Sequence, residues 1–359
     1  MTATLPQIRL TDVLHAGRRQ EASDIHLLPG VPPALRVDGR LQFLAGSPLS
    51  AQETAEIAQA LFEPAACARL NAGFDVSATR IDEQNVLRVH GFRSELGCTL
   101  AIRLLHKASP SLDSLHLPAA VARLAERERG LVIFSGPTGS GKSTSLAALI
   151  ARINATAARR IVTIEDPIEY RHASSSSLIT QREVGVDASS FESALVGALR
   201  ADPDVIMVGE MREAATMRAV LTAAETGHLV FSTLHTGTAV QTLERIIDAF
   251  TGSEQAQIRI QLAATLAAIV CQRLLPRKHG SGRRAAVEIL VVTDAVRAMI
   301  RESRTHLIRD AMTTGRHIGM QTLEHHLREL VNGNEIESEA ALRVTDRPEE
   351  LASSARAGV

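Results

Sequence analysis

The sequence predicts an α/β protein in which a smaller α+β unit precedes a larger domain built on a parallel sheet. Three patterns carry that prediction. An apolar, β-branched run at residues 131–134 leads into the glycine-rich stretch GPTGSGKST, and an apolar pattern of helical period begins near Lys142. Downstream, apolar runs within residues 161–170, 202–213 and 227–236 alternate with helical stretches, the alternation that winds a parallel sheet. Upstream of residue 106, apolar and polar residues alternate across Pro and Gly turns, the period of half-buried strands.

The stretch 131–150 is the most informative. Gly136, Gly141, Lys142 and Ser143 fit the spacing G-x-x-x-x-G-K-[ST] between a strand and a helix. Glycines let a loop turn its amide N–H groups inward around phosphate, and the following helix presents its positive end to the same anion. Gly136, Pro137, Thr138, Gly139, Ser140, Gly141, Lys142, Ser143 and Thr144 are therefore the candidate nucleotide cradle. Lys142 would reach the β- and γ-phosphates of ATP and the Ser143 hydroxyl would ligate Mg²⁺. The plainer reading, a glycine-rich loop without nucleotide, does not account for the strand and helix on either side.

Composition narrows the class. The 359 residues allow two or three domains, and 39 basic against 40 acidic residues leave a formal net charge of -1, so no global field draws the chain to nucleic acid or anionic lipid. No Trp and one Tyr, Tyr170, provide no stacking platform for single-stranded nucleic acid. The opening residues show no secretory signal, and the longest apolar stretch, 262–270, is too short to span a membrane and reads as a buried helix. Cys67, Cys98 and Cys271 form no C-x-x-C pair, which fits small core residues in a reducing cytoplasm.

In chain order, residues 1–106 read as the α+β unit: an amphipathic helix, a strand near Ile25 and Leu27, and a hairpin across Asp38-Gly39. A single helix over 51–70 and strands over NVLRVHGFRS and CTLAIRLL follow. Arg88, Arg93 and Arg103 punctuate those strands, and by themselves they read as solvated charges. Residues 107–118 read as a linker, 119–345 as the second domain, and 346–359 as a charged tail expected to fray. Within the second domain, Glu165 and Asp166 end one strand run and Glu210 ends another, at the edge where open α/β sheets bind ligands. Four apolar residues closed by Gly209 and Glu210 have the Walker B form, in which a carboxylate holds Mg²⁺ or its water. His228 and His235 bracket the next strand and are candidates for phosphate sensing. The ASSSS stretch reads as an exposed turn, and residues 277–284 as a basic, solvated one.

Taken together, these strings resemble the secretion ATPases of the type II and type IV pilus systems, most closely the PilT-type retraction branch. GPTGSGKST is similar to that family's Walker A, TIEDPIEY to its acidic box, LRADPDVIMVGEMRE to its Walker B, and AAETGHLVFSTLHT to its histidine box. SDIHL and PPALRVDG resemble its N-terminal PAS-like domain, while AVRAMIRE and GMQTLEHHL are similar to C-terminal motifs of the retraction branch. The tetracysteine motif of the extension and export branches has no counterpart here. Val296, Ala298 and Met299 depart from the commoner retraction motif, and Glu213, Ala214 and Ala215 stand where the family usually has Asp and Glu-Thr.

The resemblance implies a RecA-like P-loop ATPase domain after a PAS-like one. It also implies a homohexamer at the cytoplasmic face of the inner membrane, engaging a pilus platform protein without spanning the membrane or binding nucleic acid. It assigns ATP and Mg²⁺ to Lys142, Ser143 and Glu210 and the attacking water to Glu165, with the division of the base role between Glu165 and Glu210 open. His228 and His235 would sense the γ-phosphate, and Arg88, Arg93 and Arg103 lie on the strands that supply arginine fingers. The implied function is a motor for pilus retraction in twitching motility. An accessory PilU-like or secretion-type pilus ATPase of the same family is the alternative, and a RecA-like nucleic-acid motor or a nucleotide-gated scaffold are more distant ones.

Overall fold

The computed structural model describes residues 10–37, 39–81, 85–106, 109–280 and 282–352, so Asp38 of the expected hairpin turn and the last residues of the expected tail lie outside the described residues. The chain divides into two units, 1–108 and 109–359.

In the first unit, helix α1 (Leu10–Arg19) leads to strands β1 (Asp24–Leu27), β2 (Ala34–Val37) and β3 (Arg40–Phe43). Helices α2 (Ala51–Leu61) and α3 (Pro64–Asn71) precede strands β4 (Val76–Ile81), β5 (Asn85–Ser94) and β6 (Gly97–His106). The single helix read over 51–70 is two, because Pro64 has no N–H to donate and opens α3 at its first position. Strand β4 is absent from the sequence reading. The six strands form an antiparallel sheet in the order β3-β2-β1-β6-β5-β4. Alternation puts Ile25, Leu27, Leu35, Val89, Leu100 and Ile102 in the core with Val13, Leu14, Ile57 and Leu61 of the helices.

The second unit, among its described residues, holds a seven-stranded sheet in the order β13-β12-β7-β11-β10-β8-β9. A short helix α4 (Ala119–Ala122) precedes β7 (Gly130–Ser135), α5 (Lys142–Thr156), β8 (Arg160–Glu165) and β9 (Leu178–Glu183). Then come α6 (Phe191–Ala198), β10 (Val205–Val208), α7 (Ala214–Glu225), β11 (Leu229–Leu234), α8 (Ala239–Asp248) and α9 (Gly252–Thr265). Strands β12 (Leu266–Pro276) and β13 (Arg283–Val291) close the sheet, before helices α10 (Asp294–Arg301), α11 (Ile308–Thr314), α12 (Leu323–Asn332), α13 (Ser338–Leu342) and α14 (Pro348–Ala352). All neighbours are parallel except β12 with β13. Helices cover both faces, with α5 on one and α6, α7, α8 and α9 on the other. Strands β7, β10 and β11 are buried throughout, as a parallel sheet covered on both faces requires.

Four sequence readings are corrected here. Residues 262–270 are not one helix: α9 ends at Thr265 and β12 begins at Leu266, since an Ala-rich run buried on both faces has no period that separates strand from helix. Residues 109–118 belong to the second unit, where Leu112 is buried and the carbonyls of Leu115 and His116 accept from Arg284. Arg284 is itself buried within β13, not part of a solvated turn, and Lys278 of that turn pairs with Glu337. The tail carries α14, held by Arg309 on Glu350. Among the described residues no helix is long and apolar enough to cross a membrane.

Glu213 is the N-cap of α7, and its side chain makes no cap bond. Asp at such a position accepts from the first-turn amides. Glu213→Asp is expected to raise unfolding stability by about 0.5–1 kcal/mol in a denaturant titration; no gain would show that this helix start is already satisfied.

Candidate functional site

The site forms along the carboxyl edge of four parallel strands. Register aligns Ser135 of β7 with Leu234 of β11, Ser232 with Val208 of β10, and Val208 with Ile164 of β8. The residues that follow these positions, Gly136, His235, Glu210 and Glu165, are therefore brought to one rim. The backbone continues the pairing past the strands, with Gly209 N donating to Ile164 O at 2.8 Å and Met211 N to Thr233 O at 3.1 Å.

The loop from Gly136 to Gly141 turns between β7 and α5, and Gly136, Gly139 and Gly141 all have positive φ. Gly136 has no room for a side chain: an added Cβ would lie 2.3 Å from Gln272 O of β12 and 2.7 Å from Ser140 Oγ. The loop is thus pressed against the neighbouring strand. Inside it, Lys142 Nζ donates to Gly136 O at 2.7 Å and Pro137 O at 3.1 Å. Burial pulls the Lys142 ammonium below its usual range, with Glu210 and Glu169 acting in the opposite direction. Ser140 Oγ is buried without a hydrogen-bond partner, a donor left over that a phosphate oxygen would satisfy. Ser143 is exposed at the start of α5. Thr144 Oγ1 lies 2.9 Å from the Tyr170 hydroxyl.

Glu165 is buried at the end of β8. Ile161 packs among α5 residues such as Leu149 and Ile153, so the two-residue period puts Thr163 and Glu165 on the α5 face as well. Thr163 Oγ1 donates to Glu165 Oε1 at 2.7 Å and Gln181 Nε2 to the same oxygen at 3.0 Å. Burial pushes the Glu165 carboxyl above the usual carboxylate range, opposed by hydrogen bonds from Thr163, Gln181 and the Glu169 backbone. Glu210 follows β10 with its side chain 14% exposed, between Arg212 Nε at 2.8 Å and His235 Nε2 at 3.4 Å.

Not every candidate reaches this rim. His228 precedes β11 at the opposite edge, where its carbonyl accepts from Gly130 N and its Nδ1 lies 2.9 Å from Ala223 O. A strand of six residues separates it from His235, so the expectation that both histidines share one site is corrected: of the two, His235 alone lies at this rim. Arg88, Arg93 and Arg103 are in the first unit. Arg88 and Arg103 face each other across β5 and β6, and Arg103 Nε pairs with Asp24 at 2.8 Å. Arg93, five residues from Arg88, has the other strand parity.

Three participants escaped the sequence reading. Arg212 lies two residues after Glu210, a spacing that could have marked it. Gln181 sits on β9, a strand not foreseen. Tyr170 ends the TIEDPIEY string, but nothing in the sequence marks its hydroxyl as the partner of Thr144.

A family model described as type II/IV secretion system protein matches residues 5–355. The chain belongs to that family. It is 39% identical over 341 residues to the type IV pilus retraction ATPase PilT of Pseudomonas aeruginosa, covering 95% of this chain and 99% of that one. It is 40% identical over 333 residues to the type IV pilus ATPase PilU of the same organism, covering 92% and 86%. A crystal structure of the pilus retraction motor PilT with bound ADP superposes with a TM-score of 0.88 at 38% identity, covering 96% of this chain and 99% of that one. The chain is thus a PilT-like, ATP-hydrolysing member of the type II/IV secretion family.

Gly136→Ala forces a methyl group into the Gln272 carbonyl at a backbone angle that favours glycine. It is expected to weaken binding of a fluorescent ADP analogue by about tenfold or more, since strain of about 1–3 kcal/mol must be relieved by moving the loop. Unchanged affinity would contradict the close-packed loop.

Proposed function

We propose that this chain is a homohexameric, Mg²⁺-dependent ATPase motor that powers pilus retraction, the disassembly of pilin, in twitching motility. The observation that carries the proposal is the convergence of Lys142, Glu165, Glu210 and His235 on one sheet edge, in a chain alike over nearly its whole length to a retraction ATPase. The likeness to PilU is equally close, and an accessory pilus ATPase is the second reading.

In this mechanism Lys142 leaves the carbonyls of Gly136 and Pro137 for the phosphates, and loop amides with Ser140 Oγ hold the remaining oxygens. Anionic phosphate would stabilise the charged state that burial disfavours at Lys142. Ser143 Oγ and the Glu210 carboxylate are the groups that would hold Mg²⁺ or its waters, and the ion when bound neutralises phosphate charge. Glu165 orients the attacking water and takes its proton as oxygen bonds to the γ-phosphorus. The bond from phosphorus to the bridging oxygen breaks, and ADP leaves with that electron pair. Burial favours proton uptake by Glu165, which suits a base, and its hydrogen bonds hold the carboxylate in place. His235, linked to Glu210, reports on the γ-phosphate.

Phosphoryl transfer gains further from a cation on the transferred group, worth about a thousandfold or more. Arg88, Arg93 and Arg103 are the proposed source, supplied by a neighbouring subunit. An interface in which one subunit's site takes another's arginine is heterologous, and closed on itself it forms a ring. The work would be delivered to a platform protein at the cytoplasmic face of the inner membrane.

Replacing Lys142 by Ala tests both levels together. The purified variant is expected to keep its fold by circular dichroism and to lose ATP turnover by about a hundredfold or more. Cells carrying it should keep surface pili that fail to retract. Normal turnover would remove the site assignment, and normal retraction without turnover would favour the accessory reading.

A further inference from the structure

We propose that Gln181 is a positioning residue for Glu165, fixing that carboxylate together with the loop that follows it and linking both, through Tyr170, to the P-loop helix. The inference rests on the reading of Glu165 as the base. Gln181 lies on the edge strand β9, beside Thr163 in parallel register with β8. Its carboxamide makes three bonds. Nε2 donates to Glu165 Oε1 at 3.0 Å and to Tyr170 O at 2.8 Å, and Oε1 accepts from His172 N at 2.9 Å. These partners fix the amide's orientation, because the reverse would set its oxygen against a carboxylate and a carbonyl.

The bonds join parts of the site that are separate in sequence. Thr163 and Gln181 both donate to Oε1 of Glu165, so two donors on one oxygen limit rotation of the carboxylate. Tyr170, whose carbonyl Gln181 holds, places its hydroxyl 2.9 Å from Thr144 Oγ1. Thr144 follows Ser143 on the first turn of α5. A continuous path therefore runs from the P-loop helix through Tyr170 and Gln181 to Glu165. No packing demand calls for glutamine here, since an edge strand accepts any β-former. What the position requires is a side chain with two donors and an acceptor. Glycine or a hydrocarbon at 181 removes the bonds to the Tyr170 carbonyl and the His172 amide and leaves Glu165 Oε1 with Thr163 as its remaining side-chain donor.

Gln181→Met keeps the length and removes all three bonds. The kcat for ATP hydrolysis is expected to fall by about tenfold or more, while KM for ATP changes by less than about threefold because binding rests on the loop. Gln181→Glu keeps the acceptor facing His172 and removes both donors, and the same loss is expected if the Met variant fails to fold. Wild-type kcat in the folded variant overturns the proposal. The decisive arm is a cycle with Glu165→Gln, followed by single-turnover kinetics. Removing Gln181 should add little once Glu165 is gone, because positioning has nothing left to position. An equal fold-loss in both backgrounds overturns the positioning role and leaves the base reading standing. Full turnover of Glu165→Gln alone overturns the base reading itself.

Discussion

The parallel register of β7, β11, β10 and β8 is the constraint on which the site depends. Four strands buried on both faces can slide only by exposing apolar residues, each worth about 1.5–3 kcal/mol of burial. A slip of one residue would also turn Glu165 away from α5 onto the opposite face. The register holds the loop after Ser135, the histidine after Leu234 and the acids beyond Val208 and Ile164 at one level. No side chain in the site need be placed by a long loop of its own. Strand β12 adds the second boundary, since its Gln272 carbonyl leaves space for nothing larger than glycine at 136.

Within that frame the site is arranged against charge as much as for it. Burial disfavours the ammonium of Lys142 and the carboxylate of Glu165 alike. Both are held by local hydrogen bonds, Lys142 by carbonyls of its own loop and Glu165 by Thr163 and Gln181. Glu210 is balanced by Arg212 and His235. In the proposed mechanism, phosphate at the loop would offer Lys142 an anion in place of neutral carbonyls, an exchange of a dipolar partner for a charged one. The same exchange would free the loop carbonyls and so give nucleotide a direct mechanical hold on the loop backbone.

Much of this was legible in the sequence because its signals are local. The glycine spacing of 136–141 reports the turn, and the acids of TIEDPIEY and VIMVGE report strand ends, since short apolar runs with polar ends are what buried parallel strands look like. The failures are equally physical. Ala-rich 262–270 has no period that tells buried strand from buried helix, so β12 was hidden. Strand β9 alternates exposed and half-buried residues at a sheet edge, where side-chain pattern is weak, and with it Gln181 was missed. His228 and His235 look equivalent in a string of letters, and only strand direction places them at opposite edges of the sheet. The pairing of Arg309 with Glu350 that anchors α14 joins residues 41 positions apart, beyond any local signal.

The central claim is that the loop of one subunit is completed by an arginine of another. It is tested most directly by mixing two proteins: one with Lys142→Ala, which lacks a working loop, and one with Arg88, Arg93 and Arg103 all changed to Ala, which lacks the completing cation. Each is inactive alone in this account. After subunit exchange the mixture should recover ATP turnover to about a quarter of the wild-type rate, the share of random interfaces that pair an intact loop with an intact arginine. A mixture no more active than its parents would contradict a site shared between subunits.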